Sequence, residues 1–143
     1  MEKLKVLFVC IHNSARSQMA EAFLKALGGE RFEVNSAGME PTSVNPLVVE
    51  AMGEIGHDLA SKSTQSVFDL FKGGRLFDYV ITVCDESLGQ ACPIFPGVVK
   101  RLHWSFADPA GLTGGHEQKL ATVRVIRDQI KAQIQDWLAG LDG

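Results

Sequence analysis

From Lys5 to Val9 the chain carries a short apolar, β-branched run that stops at Cys10, and by Ser17 the pattern has become helical. A run that is apolar at consecutive positions suits a strand buried on both faces, as in a parallel sheet covered by helices. The helical stretch, Ser17 to Leu27, places Met19, Phe23 and Leu27 on one stripe beside Ala20 and Leu24, and Gly28-Gly29 ends it. The loop from Cys10 to Ser17 therefore joins the carboxyl end of a buried strand to the amino end of a helix.

The same alternation continues downstream. Arg31 to Ser36 reads as a second strand, Asn45-Pro46 as the cap and first turn of a helix reaching Ile55, and Val67 to Phe71 as a short helix. Tyr79 to Val83 is a third strand ending at Cys84, Val98 to Trp104 a fourth, and Glu117 to Leu138 a last helix with Val123, Ile126, Ile130, Ile134 and Trp137 on one face. Alternating strands and helices imply right-handed crossovers, so the expected fold is a three-layer α/β/α domain with a central four-stranded parallel sheet and its site at the carboxyl ends of the strands. A length of 143 residues, 45% of them hydrophobic, suits one domain over residues 1–143.

The formal charge is −3, with acidic and basic residues intermixed, which leaves no basic face for a nucleic acid or an anionic membrane. The N-terminal apolar run is too short for a signal-peptide core or a membrane span, so a cytoplasmic protein, most simply a monomer, is expected. In that reducing compartment the three cysteines, Cys10, Cys84 and Cys92, read as thiols, and their spacing with His12 and His103 forms no metal-ligand pattern.

Chemistry concentrates in Cys10-Ile11-His12-Asn13-Ser14-Ala15-Arg16-Ser17. A loop wrapping into a helix N-terminus aims backbone N–H groups and a partial positive charge at an anion. Arg16 adds a planar fork of donors for two oxygens of a tetrahedral oxyanion. The same field favours the thiolate form of Cys10, a nucleophile to which Ser17 can donate a hydrogen bond. Asn13 and Ser14 are residues that brace tight loops, and His12 contributes its backbone.

VCIHNSARSQMAEAF resembles the signature of the low-molecular-weight tyrosine phosphatase fold, and specifically its thioredoxin-coupled arsenate reductase branch. The likeness continues through Asn35-Ser36-Ala37-Gly38, Val83-Cys84, Ala91-Cys92-Pro93 and His103-Trp104-Ser105-Phe106-Ala107-Asp108-Pro109-Ala110-Gly111. It implies reduction of arsenate to arsenite, with phosphate and sulfate as competing oxyanions. Cys10 would form a thiol-arsenate adduct, Cys84 would attack Cys10, and Cys92 would attack Cys84, leaving a Cys84–Cys92 disulfide for thioredoxin to reduce. Because one sulfur must meet two partners in turn, the segment Asp85 to Ala91 is expected to rearrange on oxidation.

Seven residues separate Cys84 from Cys92, one more than in typical members of that branch, and glutathione with glutaredoxin is the alternative reductant. The resemblance makes Asp108 the general acid. It also implies a potassium site through Asn13, Glu21 and Ser36, but Gln65 stands where a fourth, acidic ligand is expected, so tight potassium binding is not predicted. Glu21 reads equally well as a solvated helix glutamate. No tightly bound cofactor is expected.

Two rival readings remain. The first is a phosphatase for phosphotyrosine or small esters using Cys10, Arg16 and Asp108, against which stands the Ala110-Gly111 pair where such enzymes carry aromatic residues. The second is a non-catalytic oxyanion-binding or redox-sensing protein, which the combination of thiol, arginine and acid disfavours.

Overall fold

The computed structural model describes residues 3–83, 100–107, 109 and 112–142. Strand β1 (Leu4–Cys10) leads through the loop into α1 (Arg16–Gly28), and a short 3-10 turn leads into β2 (Phe32–Gly38). Then come α2 (Pro46–Gly53), α3 (Val67–Lys72), β3 (Tyr79–Thr82), β4 (Lys100–His103) and α4 (His116–Asp142). The strands form one sheet in the order β2-β1-β3-β4, and every pairing is parallel, as the alternation requires.

β1 is central and buried on both faces, which is why its sequence is continuously apolar. Successive side chains point to opposite faces of the sheet. Val6, Phe8 and Cys10 accordingly enter a core shared with α1, α2 and α4, whereas Leu7 and Val9 enter a second core with Val67, Leu70 and Phe77 beneath α3. Helices thus cover both faces of the sheet. In α4, Val123, Ile126, Ile130 and Ile134 are all buried, as their spacing predicts.

Several boundaries differ from the sequence expectation for identifiable reasons. β2 runs on to Gly38 because Cys10 pairs with Gly38 in register and Gly38 makes a further bridge to Ser66. The second helix stops at Gly53 rather than Ile55, as glycine has little helical preference, although Asn45 caps it as expected by accepting from the Leu47 N–H at 2.9 Å. Leu27, assigned to the buried stripe of α1, is 42% exposed, while Arg16, Ser17, Gln18 and Glu21 are buried in its place. The apolar stripe carries only part of the inward face of α1, and polar residues of its first two turns carry the rest.

Candidate active site

Cys10 ends β1 and is 2% exposed, and its Sγ lies 2.9 Å from the Ser17 hydroxyl in the first turn of α1. Asn13 donates its Nδ2 to the same hydroxyl at 2.8 Å. With that lone pair engaged, the Ser17 hydrogen is available to the sulfur, and an ionised sulfur can only accept. The Asn13 Oδ1 accepts from Gln18 Nε2 at 3.2 Å and from the Gln65 backbone N–H at 3.1 Å, which fixes its amide orientation. Asn13 has φ 53°, a left-handed conformation that asparagine tolerates better than most residues. The sulfur is therefore held by a chain of buried polar groups.

α1 starts at Arg16 with no side-chain cap and no acidic residue in its first turn. Among the described residues, no carboxylate of that first turn competes with an incoming anion for the helix N-terminus. Arg16 is buried, and its Nη1 donates to the Phe106 carbonyl at 3.1 Å, joining the loop after β1 to the loop after β4. The resulting arrangement unites a buried thiol, a guanidinium and a helix end, a combination chemically suited to covalent chemistry on a tetrahedral oxyanion. Asp108, Cys84 and Cys92 lie outside the described residues, as do most of Asp85 to Gly111 named in the expected relay and recognition loops.

A second strip of backbone clamps the outside of the loop. Met39, Glu40, Thr42 and Asn45 donate their backbone N–H groups to the carbonyls of Cys10, Ile11, His12 and Ser14, at 3.1, 2.7, 3.1 and 2.8 Å. Gly38, where this strip begins, approaches so closely that a Cβ there would sit 2.7–2.8 Å from backbone atoms of Ile11, His12 and Asn13. Nothing in the local sequence pattern of 39–45 marks it as a clamp. His12 is also held, its Nδ1 lying 2.9 Å from the Glu40 carbonyl. His103 and Trp104 pack as strand-end residues: His103 reaches Thr82 and Ser105, and the Trp104 ring lies 6.0 Å from that of Phe8.

The reading of Glu21 as a solvated residue fails, because it is 4% exposed. Its Oε1 accepts from Ser36 at 2.6 Å, and its Oε2 accepts from Lys25 at 2.5 Å and Lys62 at 2.6 Å. Burial by itself would raise the carboxyl, but hydrogen bonds from Lys25, Lys62 and Ser36 outweigh it and hold the group below its ordinary value of 4.5. A lowered carboxyl stabilises the fold above its ordinary value, and this contribution disappears as pH falls through the lower, folded value. Glu21→Gln should therefore lower Tm by about 3–6 °C at neutral pH. That gap should close as the medium is taken below pH 4.5.

The residues expected to hold potassium do not fit a resident ion. Asn13 Oδ1 and both Glu21 oxygens already take N–H or O–H donors, and the Ser36 carbonyl accepts from Gln65 Nε2 at 2.8 Å.

A buried cysteine at the end of a parallel strand, an arginine at the start of the following helix and a clamped loop between them define a phosphatase-type oxyanion fold. The chain belongs to the low molecular weight phosphotyrosine protein phosphatase family, whose profile matches residues 5–143. Within that family it is similar to the arsenate reductase of Shouchella clausii, 40% identical over 136 residues that cover 94% of this chain and 95% of the relative. Among solved structures it resembles an arsenate reductase in the phosphate binding state, at TM-score 0.77 and 30% identity, covering 96% of this chain and 98% of the other. It also resembles the thioredoxin-dependent arsenate reductase of Corynebacterium glutamicum, at TM-score 0.64 and 30% identity over 93% of this chain and 62% of the other. Among the described residues no helix is long and apolar enough to cross a membrane.

Proposed function

We propose that this chain is an arsenate reductase in which Cys10 is the nucleophile and Cys84 and Cys92 complete a disulfide relay. The observation that carries the proposal is the buried Cys10–Ser17 contact at 2.9 Å beside buried Arg16, in a chain that also contains two further cysteines. The loop suits any tetrahedral oxyanion, and the thiols decide the chemistry. Hydrolysing a phosphate ester needs one nucleophile and water, whereas taking As(V) to As(III) needs two electrons, which two thiols supply by becoming one disulfide. The names of the relatives favour the same choice.

In the first step the Cys10 thiolate bonds to arsenic and one arsenate oxygen leaves as water, with Asp108 as the proposed proton donor. Arg16 and the backbone from Ile11 to Ser17 hold the remaining oxygens. Cys84 then attacks the Cys10 sulfur. The S–As bond breaks with its electron pair going to arsenic, so that arsenite departs and a Cys10–Cys84 disulfide remains. Cys92 attacks Cys84, freeing Cys10 as thiolate, and an external dithiol reduces the Cys84–Cys92 disulfide. Thioredoxin is favoured as that dithiol because a similar structure is described as thioredoxin-dependent. No resident cofactor enters these steps.

Coupled to thioredoxin, thioredoxin reductase and NADPH, the parent protein should oxidise NADPH only when arsenate is present. Serine at either Cys84 or Cys92 should stop the sustained reaction, a loss of at least about 10³-fold. Hydrolysis of an aryl phosphate without arsenate turnover, unaffected by either substitution, would instead assign a phosphatase.

A further inference from the structure

Behind the loop lies a charge arrangement that oxyanion chemistry does not use. Glu21 is buried, and an unpaired buried carboxylate is costly enough that its partners control the local structure. Two ammonium groups compensate it. The Lys25 side chain is 52% exposed and stands one helical turn away on α1, where solvent screens it. The Lys62 side chain is 34% exposed and arrives from 41 positions downstream, so its contact fastens one chain segment to another.

That segment touches the loop bracket at every step. The Ser63 carbonyl accepts from Gln18 Nε2 at 3.3 Å, the Gln65 N–H donates to Asn13 Oδ1, and Gln65 Nε2 donates to the Ser36 carbonyl. From Lys62 the connections run through Glu21, Ser36, Gln65, Asn13 and Ser17 to Cys10. Beside the cluster opens a cavity of about 360 Å³, lined in part by Gln18, Glu21, Lys25 and Lys62. Gln18 Oε1 is buried there with no hydrogen-bond partner among the described residues.

We infer that the Lys62 ammonium is a built-in monovalent cation, which neutralises Glu21 and braces the nucleophile loop so that the protein works independently of potassium. Lys62 is a positioning residue, acting on Cys10 through the bracket. Shortening it would leave the Glu21 carboxylate, at the edge of this cavity, without its long-range cation, a place that a potassium ion with part of its water shell would then fill. The inference rests on the oxyanion-loop reading alone and not on arsenate turnover.

The test compares the parent, Lys62→Met and Lys62→Arg in potassium chloride and in choline chloride at equal ionic strength. The readouts are calorimetric titration with inorganic phosphate and Tm. For the parent, phosphate Kd should change by less than about twofold between the two salts. Lys62→Met should bind phosphate roughly three- to tenfold more weakly in choline and recover in potassium, with Tm following the same pattern. Lys62→Arg should match the parent.

A parent that responds to potassium would overturn the inference, as would a Lys62→Met protein that equals the parent or is weakened without potassium rescue. Failure of all three proteins to bind phosphate would count against the oxyanion loop, and the Tm comparison would still decide the role of Lys62.

Discussion

Replacing Cys10 with serine is expected to lower arsenate turnover by at least about 10⁴-fold while phosphate still binds the loop. The alcohol is too weak an acid to ionise where a thiol can, so the attacking group is lost. The groups proposed to hold the anion remain: Arg16, the uncapped start of α1 and the backbone clamped by Met39, Glu40, Thr42 and Asn45. A serine hydroxyl can also keep a hydrogen bond to Ser17. Stability should thus stay within about 1 kcal/mol of the parent, since the change is nearly isosteric. Initial rates and a phosphate titration on the same preparation check both halves of the expectation, and residual turnover near the parental rate would remove Cys10 as nucleophile.

Replacing Gly38 with alanine is expected to be the most damaging small substitution near the site. The added methyl would meet three backbone atoms, the Asn13 nitrogen at 2.7 Å and the Ile11 oxygen and His12 carbonyl carbon at 2.8 Å. A flexible side chain could swing aside, but backbone held between β1 and the 39–45 strip cannot do so cheaply. The Cys10–Gly38 pairing and the Gly38 N–H bond to the Gln65 carbonyl at 2.8 Å fix this glycine from the other side. The cost should be about 3 kcal/mol, at the upper end of overpacking, lowering Tm by roughly 6–12 °C. Because the colliding atoms belong to the oxyanion loop, phosphate affinity should fall along with Tm. A folded variant with parental phosphate affinity would show that the loop is less tightly clamped than these contacts imply.

The parts of this molecule that were legible in its sequence are those governed by local pattern. A short, β-branched, continuously apolar run suits a two-sided strand, so β1, its partners and the parallel sheet follow from that run and from the alternation of strands and helices. Cys10 and Arg16 likewise stand where the pattern puts them, at the two ends of one strand–helix loop. Less legible were features made by chain segments far apart. Glu21 sits off the apolar stripe of α1, and only the arrival of Ser36 and Lys62 turns it inward. Lys62 carries no motif, Gln18 lies in the family-like signature without any sign there of its contacts, and Gln65 enters the bracket partly through its backbone N–H, which composition cannot reveal. Gly38 was visible as part of a family-like tetrapeptide, but its reason, a backbone approach from β1's loop, exists only in three dimensions.

The most direct test of the central claim is a single turnover: reduced protein mixed with excess arsenate in the absence of thioredoxin, quenched with an alkylating reagent and analysed by peptide mass spectrometry. The account predicts one arsenite released per chain, a Cys84–Cys92 disulfide and an alkylated, free Cys10. Three alkylated cysteines with no arsenite formed would contradict it.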